Sequence, residues 1–155
     1  MRLHIGSDHA GFDVKQFLVA ALTERGHEVI DHGPSHFDAL DDYPSFCLAT
    51  GEGVANDPGS LGIVLGGSGN GEQMAANKVD GVRAALVWSR EIAQLAREHN
   101  DANVISIGAR MHERSDVLAF VETFVATPFS NDARHIRRIE QLSGYERTGE
   151  VPTSQ

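Results

Sequence analysis

The sequence predicts an α/β protein: a parallel β-sheet covered by helices on both faces. Three observations carry this reading. Short β-like runs alternate with helix-spaced stretches along the chain. The polar, glycine-bearing segments SDHAG and GGSGNGE follow strands directly. No internal repeat, low-complexity tract or long linker divides the 155 residues, a length typical of one domain.

Each element has its own local reason. Arg2 to Gly6 reads as a first strand. Ala10 to Arg25 follows as a helix, with apolar residues at 14, 17, 18, 21 and 22 and Gly26 ending it. Glu28 to Asp31 is a short second strand, and the polar, proline-bearing loop His32 to Asp42 leads into a helix reaching about Val54. Leu61 to Leu65 is the third strand, and the loop after it opens a helix carrying Met74, Ala75 and Ala76. Arg83 to Val87 is the fourth strand, with Ser89 as N-cap of a helix from Arg90 to His99. Asn103 to Ile107 is the fifth, before helices at about 115–126 and 131–145. In such sheets ligands bind beyond the carboxyl ends of the strands. SDHAG, GGSGNGE and HNDANV are therefore expected to meet at one rim.

Composition removes several classes of function. With 41% apolar and 23% charged residues, the chain is neither disordered nor fibrous. No apolar run approaches the ~20 residues that span a bilayer, and MRLHIGSDHAG lacks a signal-peptide layout. The single cysteine, Cys47, excludes an internal disulfide and a cysteine-built zinc cage, and it suits a reducing cytoplasm. A formal charge of −9, with no basic stripe, argues against nucleic acid. An anionic ligand would therefore require arginines gathered locally.

The chemistry concentrates in LGGSGNGEQMAANK, residues 65–78. Backbone amides at a glycine-rich helix start can cradle a phosphate, a carboxylate or a developing oxyanion. The dinucleotide pattern fails because Glu72 occupies its last glycine position, and the Walker pattern fails because no Gly-Lys-Ser/Thr follows. Asn70 breaks the serine-hydrolase elbow. Glu72 either complements the helix dipole or serves as a base beside those amides, the pairing that removes a proton next to a carbonyl. Asp8 caps the next helix or binds substrate, and His9 is a phosphate contact or a solvated histidine. His99 favours the end of its helix whether or not it has another task. Arg134 and Arg138 share one helical face, beside an apolar stripe of Ile136, Ile139 and Leu142. That arginine pair, like Arg110, either makes surface ion pairs or grips phosphate through forked hydrogen bonds. His32, His36, Asp38, Asp41 and Asp42 are metal-ligand types whose spacing fits no known motif.

Taken together, GSDHAGF, GGSGNGEQMAANK, REHNDANVISIGARM and RHIRR resemble the type B ribose-5-phosphate isomerases, grouped with the galactose-6-phosphate isomerase subunits. The resemblance spans about residues 1–147 as a single domain, is closest to the actinobacterial branch, and leaves 148–155 as a flexible tail. It implies a three-layer α/β/α, doubly wound, Rossmann-like five-stranded parallel sheet. It also implies a homodimer whose active site is shared between chains, interconverting ribose 5-phosphate and ribulose 5-phosphate without metal or cofactor. Residue by residue, Asp8, His9, Gly67, Ser68, Gly69, Asn70, Gly71, Asn100, Arg110, Arg134 and Arg138 would bind substrate. Glu72 would be the base, His99 the ring-opening acid, and Ser68 a holder of the enediolate oxygen. The resemblance draws His99, Asn100 and Arg110 together from the partner chain. Many members carry a catalytic cysteine where Gly66 stands here, so the carboxylate of Glu72 takes over, with its pKa raised by burial. Gly66 also suggests extra room for a six-carbon sugar phosphate. A non-catalytic sugar-phosphate-binding module is the alternative from another class, and a metal-dependent hydrolase stands third.

Overall fold

The computed structural model describes residues 1–154. Five strands form one all-parallel sheet: β1 (Arg2–Ser7), β2 (Glu28–Asp31), β3 (Leu61–Gly66), β4 (Ala84–Leu86) and β5 (Val104–Gly108). Six helices connect and follow them: α1 (Phe12–Glu24), α2 (Tyr43–Ala55), α3 (Asn70–Ala76), α4 (Arg90–Asn100), α5 (Arg114–Ala126) and α6 (Ala133–Thr148). The expected order of elements is therefore the observed one.

Strand order is β2-β1-β3-β5-β4, so the chain reverses its direction of growth between β1 and β3. At such a switch point the two following loops diverge and leave a crevice. The central strands β3 and β5 are buried along their whole length, which explains why LGIVLG and VISIG read as continuous runs instead of alternating ones. One face of the sheet packs large aliphatics, among them Leu3, Ile5, Ile63, Leu65, Ile105 and Ile107, against Leu18, Leu22, Phe120 and Phe124. The other packs Val64 and Val104 against Cys47, Val54 and Ala76 of α2 and α3.

Several local expectations are corrected. Residues 8–11 form a turn and α1 starts at Phe12, because the Asp8 carboxylate accepts from the amides of Ala10 and Gly11 (2.9 and 3.2 Å) before the helix begins. α6 runs from Ala133 to Thr148 and ends on a left-handed Gly149, past the expected end near 145. Of the expected tail, residues 150–154 have no regular secondary structure, and Gln155 lies outside the described residues. Ile136 and Leu142 are exposed, and His135 is the residue that α6 buries. The apolar stripe of α6 thus points away from this chain's core.

The largest correction concerns the rims. Each connecting helix runs back antiparallel to its strand, so α4 carries His99 and Asn100 to the amino end of the sheet. There Arg83, which precedes β4, donates from Nε to the Asn100 carbonyl (2.9 Å), and Gly62 at the start of β3 donates to the Asn103 carbonyl (2.8 Å). HNDANV therefore enters β5, while SDHAG and GGSGNGE leave β1 and β3. Within one chain the two groups are separated by the length of a strand, roughly 16 Å for five residues. His99 and Asn100 cannot meet Glu72 of their own chain, and Arg110, just past the other end of β5, does not accompany them.

Candidate active site

The glycine loop sits between the turn after β1 and the segment after β5. Its carbonyls face β5: Ser106 Oγ donates to Gly69 O (2.7 Å), and the amides of Ala109 and Arg110 donate to Gly66 O and Gly67 O (2.8 and 3.2 Å). On the other side the Asp8 amide donates to Leu65 O (3.3 Å). Gly69 has φ +83°, a left-handed conformation that a side chain would strain, and it starts α3. Ser68 Oγ accepts from the amide and side-chain nitrogen of Asn70 (3.3 and 3.0 Å), tying the loop tip together.

Glu72 lies in the first turn of α3, yet it is only 5% exposed. A dipole-complementing surface glutamate would face solvent; this one turns in against β3. A Cβ built on Gly66 would fall inside the Glu72 carboxylate, so the glycine exists because the carboxylate fills its side-chain space. The expectation of extra room beside Gly66 is overturned for the same reason. Burial raises the Glu72 pKa above the ordinary carboxylate value; its own amide opposes this, Asp8 adds to it, and the Gly69 amide opposes it. A carboxylate made more basic while flanked by amides is suited to taking a proton from carbon.

Around this carboxylate stand groups from four segments. Asp8 is buried and its carboxylate closes the turn after β1; it does not cap α1, whose N-cap is Gly11. His9 pairs with Asp41, Nδ1 to Oδ1 at 2.8 Å. The exposed Arg110 has Nη1 3.6 Å from where a Gly67 Cβ would stand, placing its guanidinium over the loop of its own chain. The ring of Tyr43, at the start of α2, covers Gly71, its Cζ 2.6 Å from a Cβ built there. Cys47 lies buried below, and burial, with the Glu72 and Asp8 charges, drives its thiol pKa far up, leaving no thiolate.

At the opposite rim a second constellation forms. His99 is exposed and packs on the buried ring of His135, with centroids 4.4 Å apart. His135 bonds Ser130 Oγ through Nδ1 at 2.8 Å, and burial lowers its pKa, with the His99 and Arg134 charges adding. Arg134 and Arg138 are exposed on the same helix. Arg134 reaches Asp132 (Nε to Oδ1 3.6 Å), and Arg138 makes no ion pair among the described residues. Asn100 lies beside Leu86, Trp88 and Leu142 in a cleft of about 540 Å³ along the edge strand β4.

This geometry has relatives. The sequence profile of the family Ribose/Galactose Isomerase matches residues 3–142. The chain belongs to this family. Among ribose/galactose isomerases it is similar to ribose-5-phosphate isomerase B of Mycolicibacterium paratuberculosis, 59% identical across 98% of this chain and 96% of that protein. It is also 57% identical to ribose-5-phosphate isomerase B of Mycobacterium tuberculosis, across 98% and 94%. The crystal structure of ribose-5-phosphate isomerase B from Mycoplasma genitalium with bound ribulose-5-phosphate superimposes with a TM-score of 0.91 at 40% identity, covering 95% of this chain and 97% of that one.

For this family member, the structure brings Asp8, His9, Gly67 to Gly71, Glu72 and Arg110 together at one rim and leaves His99, Asn100, Arg134 and Arg138 at the other. In the polar loop His32 to Asp42, as elsewhere among the described residues, no three ligand-type side chains converge. Its members are engaged elsewhere, His32 with His4 (Nε2 to Nδ1 2.8 Å) and Asp41 with His9. Sequence reasoning missed Tyr43, Asp41 as a partner, and His135. The signals were present as an aromatic opening a helix in DDYP and a histidine between two arginines in ARHIRR.

Proposed function

We propose that this chain is an aldose–ketose isomerase that interconverts ribose 5-phosphate and ribulose 5-phosphate, working as a homodimer with sites shared between chains. The observation that carries the chemistry is the Glu72 carboxylate, buried in the side-chain space of Gly66 beside the glycine loop. In this reading Glu72 removes the C2 proton of the open-chain aldose and returns it to C1 through a cis-enediolate. Ser68 and the loop amides hold the oxygen that becomes negative. His9, Arg110, Arg134 and Arg138 grip the phosphate, and that binding orients the distant carbonyl end. His99 gives a proton to the ring oxygen as the furanose opens, Asn100 holds a hydroxyl, and Asp8 acts chiefly through the turn it caps.

A shared site is supported by the separation of the two rims. His99, Asn100, Arg134 and Arg138 are exposed, and Trp88 and Leu142, each 59% exposed, lie along the cleft that contains Asn100. A second copy seated there covers apolar surface and delivers the missing groups to a Glu72 rim. The cytoplasm suits the one buried thiol. Among the described residues no helix is long and apolar enough to cross a membrane.

Glu72→Gln tests the central assignment. Turnover of ribose 5-phosphate in a coupled assay is expected to fall by about 10²–10⁴-fold with KM little changed, the loss typical of a missing acid–base group. Unimpaired turnover removes Glu72 from the role.

A further inference from the structure

We propose that Asp41 is a positioning residue that fixes His9 as a charged donor for the phosphate of the sugar substrate. The proposal rests on the reading of His9 as a phosphate contact and adds what makes that contact possible.

One oxygen of Asp41 holds His9 at two points. Oδ1 accepts from the His9 backbone amide at 2.8 Å and meets ring Nδ1 at 2.8 Å. An ionised carboxylate only accepts, so Nδ1 carries a proton and Nε2 is the ring nitrogen left to meet a ligand. Holding main chain and ring together fixes both the position of the residue and the orientation of its ring. The contact also ties the loop before α2 to the turn after β1, segments more than thirty residues apart.

Burial shows that the pair is more than a surface contact. The Asp41 side chain is 9% exposed, and its second oxygen, Oδ2, is buried without a hydrogen-bond partner. A carboxylate removed from water in this way needs a cation, and among the described residues His9 is the one basic group in contact with it. Three charged groups act on His9: Asp41 from the loop before α2, Asp8 from the turn after β1, and Arg110 from beyond β5. The Asp41 hydrogen bond is the largest influence and raises the pKa; burial opposes it, the Asp8 and Asp41 charges add to it, and Arg110 subtracts. The imidazolium form therefore persists to a higher pH than in a free histidine. In a protein of net charge −9, a buried anion maintains a cation where an anionic ligand is to bind.

The sign of the pH effect follows. Phosphate affinity due to His9 is present while the ring is charged and is lost as pH rises through its raised pKa. In Asp41→Asn, which keeps an oxygen acceptor and removes the charge, the loss occurs at lower pH. The ratio of KM in the variant to KM in the wild type is expected to be near one at about pH 6, to reach about tenfold above neutrality, and to fall again at higher pH. Turnover stays close to wild type throughout. The His9 ring resonance, assigned by its absence in His9→Gln, should titrate at lower pH in Asp41→Asn.

A ratio flat across pH, or an unmoved His9 midpoint, overturns the proposal and leaves Asp41 a purely structural tie. Calorimetry with inorganic phosphate separates this outcome from failure of the isomerase reading. If the wild type does not convert ribose 5-phosphate, yet inorganic phosphate binding shows the same pH-dependent ratio, the pairing stands and the isomerase reading falls. If His9→Gln binds inorganic phosphate as well as the wild type does, the phosphate role and this proposal fall together.

Discussion

The two rims of this sheet differ in how they are built. At the carboxyl rim the key groups are internal: Glu72 is buried against Gly66, Asp8 closes a turn, and the loop carbonyls are taken up by the backbone and side chain of β5 and the segment after it. At the amino rim His99, Asn100, Arg134 and Arg138 are exposed on helix ends and faces, supported by a buried His135 and by Arg83. A proton-moving group needs a protected place with a shifted pKa, whereas groups that reach into another molecule's site must project from the surface. The difference is the one the proposed shared site requires: a protected carboxylate at one rim and projecting groups at the other.

The sharpest way to break this contrast is at Gly66. Gly66→Ala puts a methyl where the Glu72 carboxylate lies, so activity is expected to fall by about 10²–10⁴-fold, as if the base itself were removed. Thermal unfolding should report a cost of about 1–3 kcal/mol for overpacking. Wild-type kinetics in that variant would mean that the carboxylate works from a different position.

Next comes the separation of the rims. Glu72→Gln and His99→Asn should each be nearly inactive, and unfolding and refolding them together should restore about a quarter of wild-type activity, because in the proposed dimer half of the pairs are mixed and each of those has one intact site. No recovery would place all the catalytic groups in one chain.

A smaller effect is expected from Arg138, which has no carboxylate partner among the described residues. Arg138→Ala should raise KM for ribose 5-phosphate by about tenfold or more with kcat largely kept, the pattern of a lost binding contact. Unchanged KM would return it to the surface.

The smallest effect is on stability. Because burial raises the Glu72 pKa, the folded protein holds that proton to a higher pH than the unfolded chain does, and stability falls as pH rises through this window. Glu72→Gln should therefore melt higher than the wild type at neutral pH, with the advantage shrinking as pH drops toward the unfolded carboxylate value near 4.5. Equal melting curves at both pH values would mean that the carboxylate is better solvated than its burial implies.

Sequence and structure diverge in an instructive place. Strand and helix identities were legible because each depends on local periodicity, turn residues and caps: Ser89 caps α4 as expected, its Oγ accepting from the Ile92 amide at 3.2 Å. α6 was misread because a stripe of apolar residues states that something is to be covered, without stating by what. Asp41 looked like loop polarity because its partner is 32 residues away.

By itself the sequence determined the order of elements, the parallel sheet and the placing of a carboxylate, Glu72, directly after the glycine loop. Those properties are set by neighbours along the chain. Only the tertiary structure decided that Glu72 turns inward over Gly66, that Asp41 holds His9, and that His99 stands at the far rim from the base. Each of these depends on which segments packing brings together, and a strand that carries the chain across the sheet separates residues that the linear order had seemed to unite.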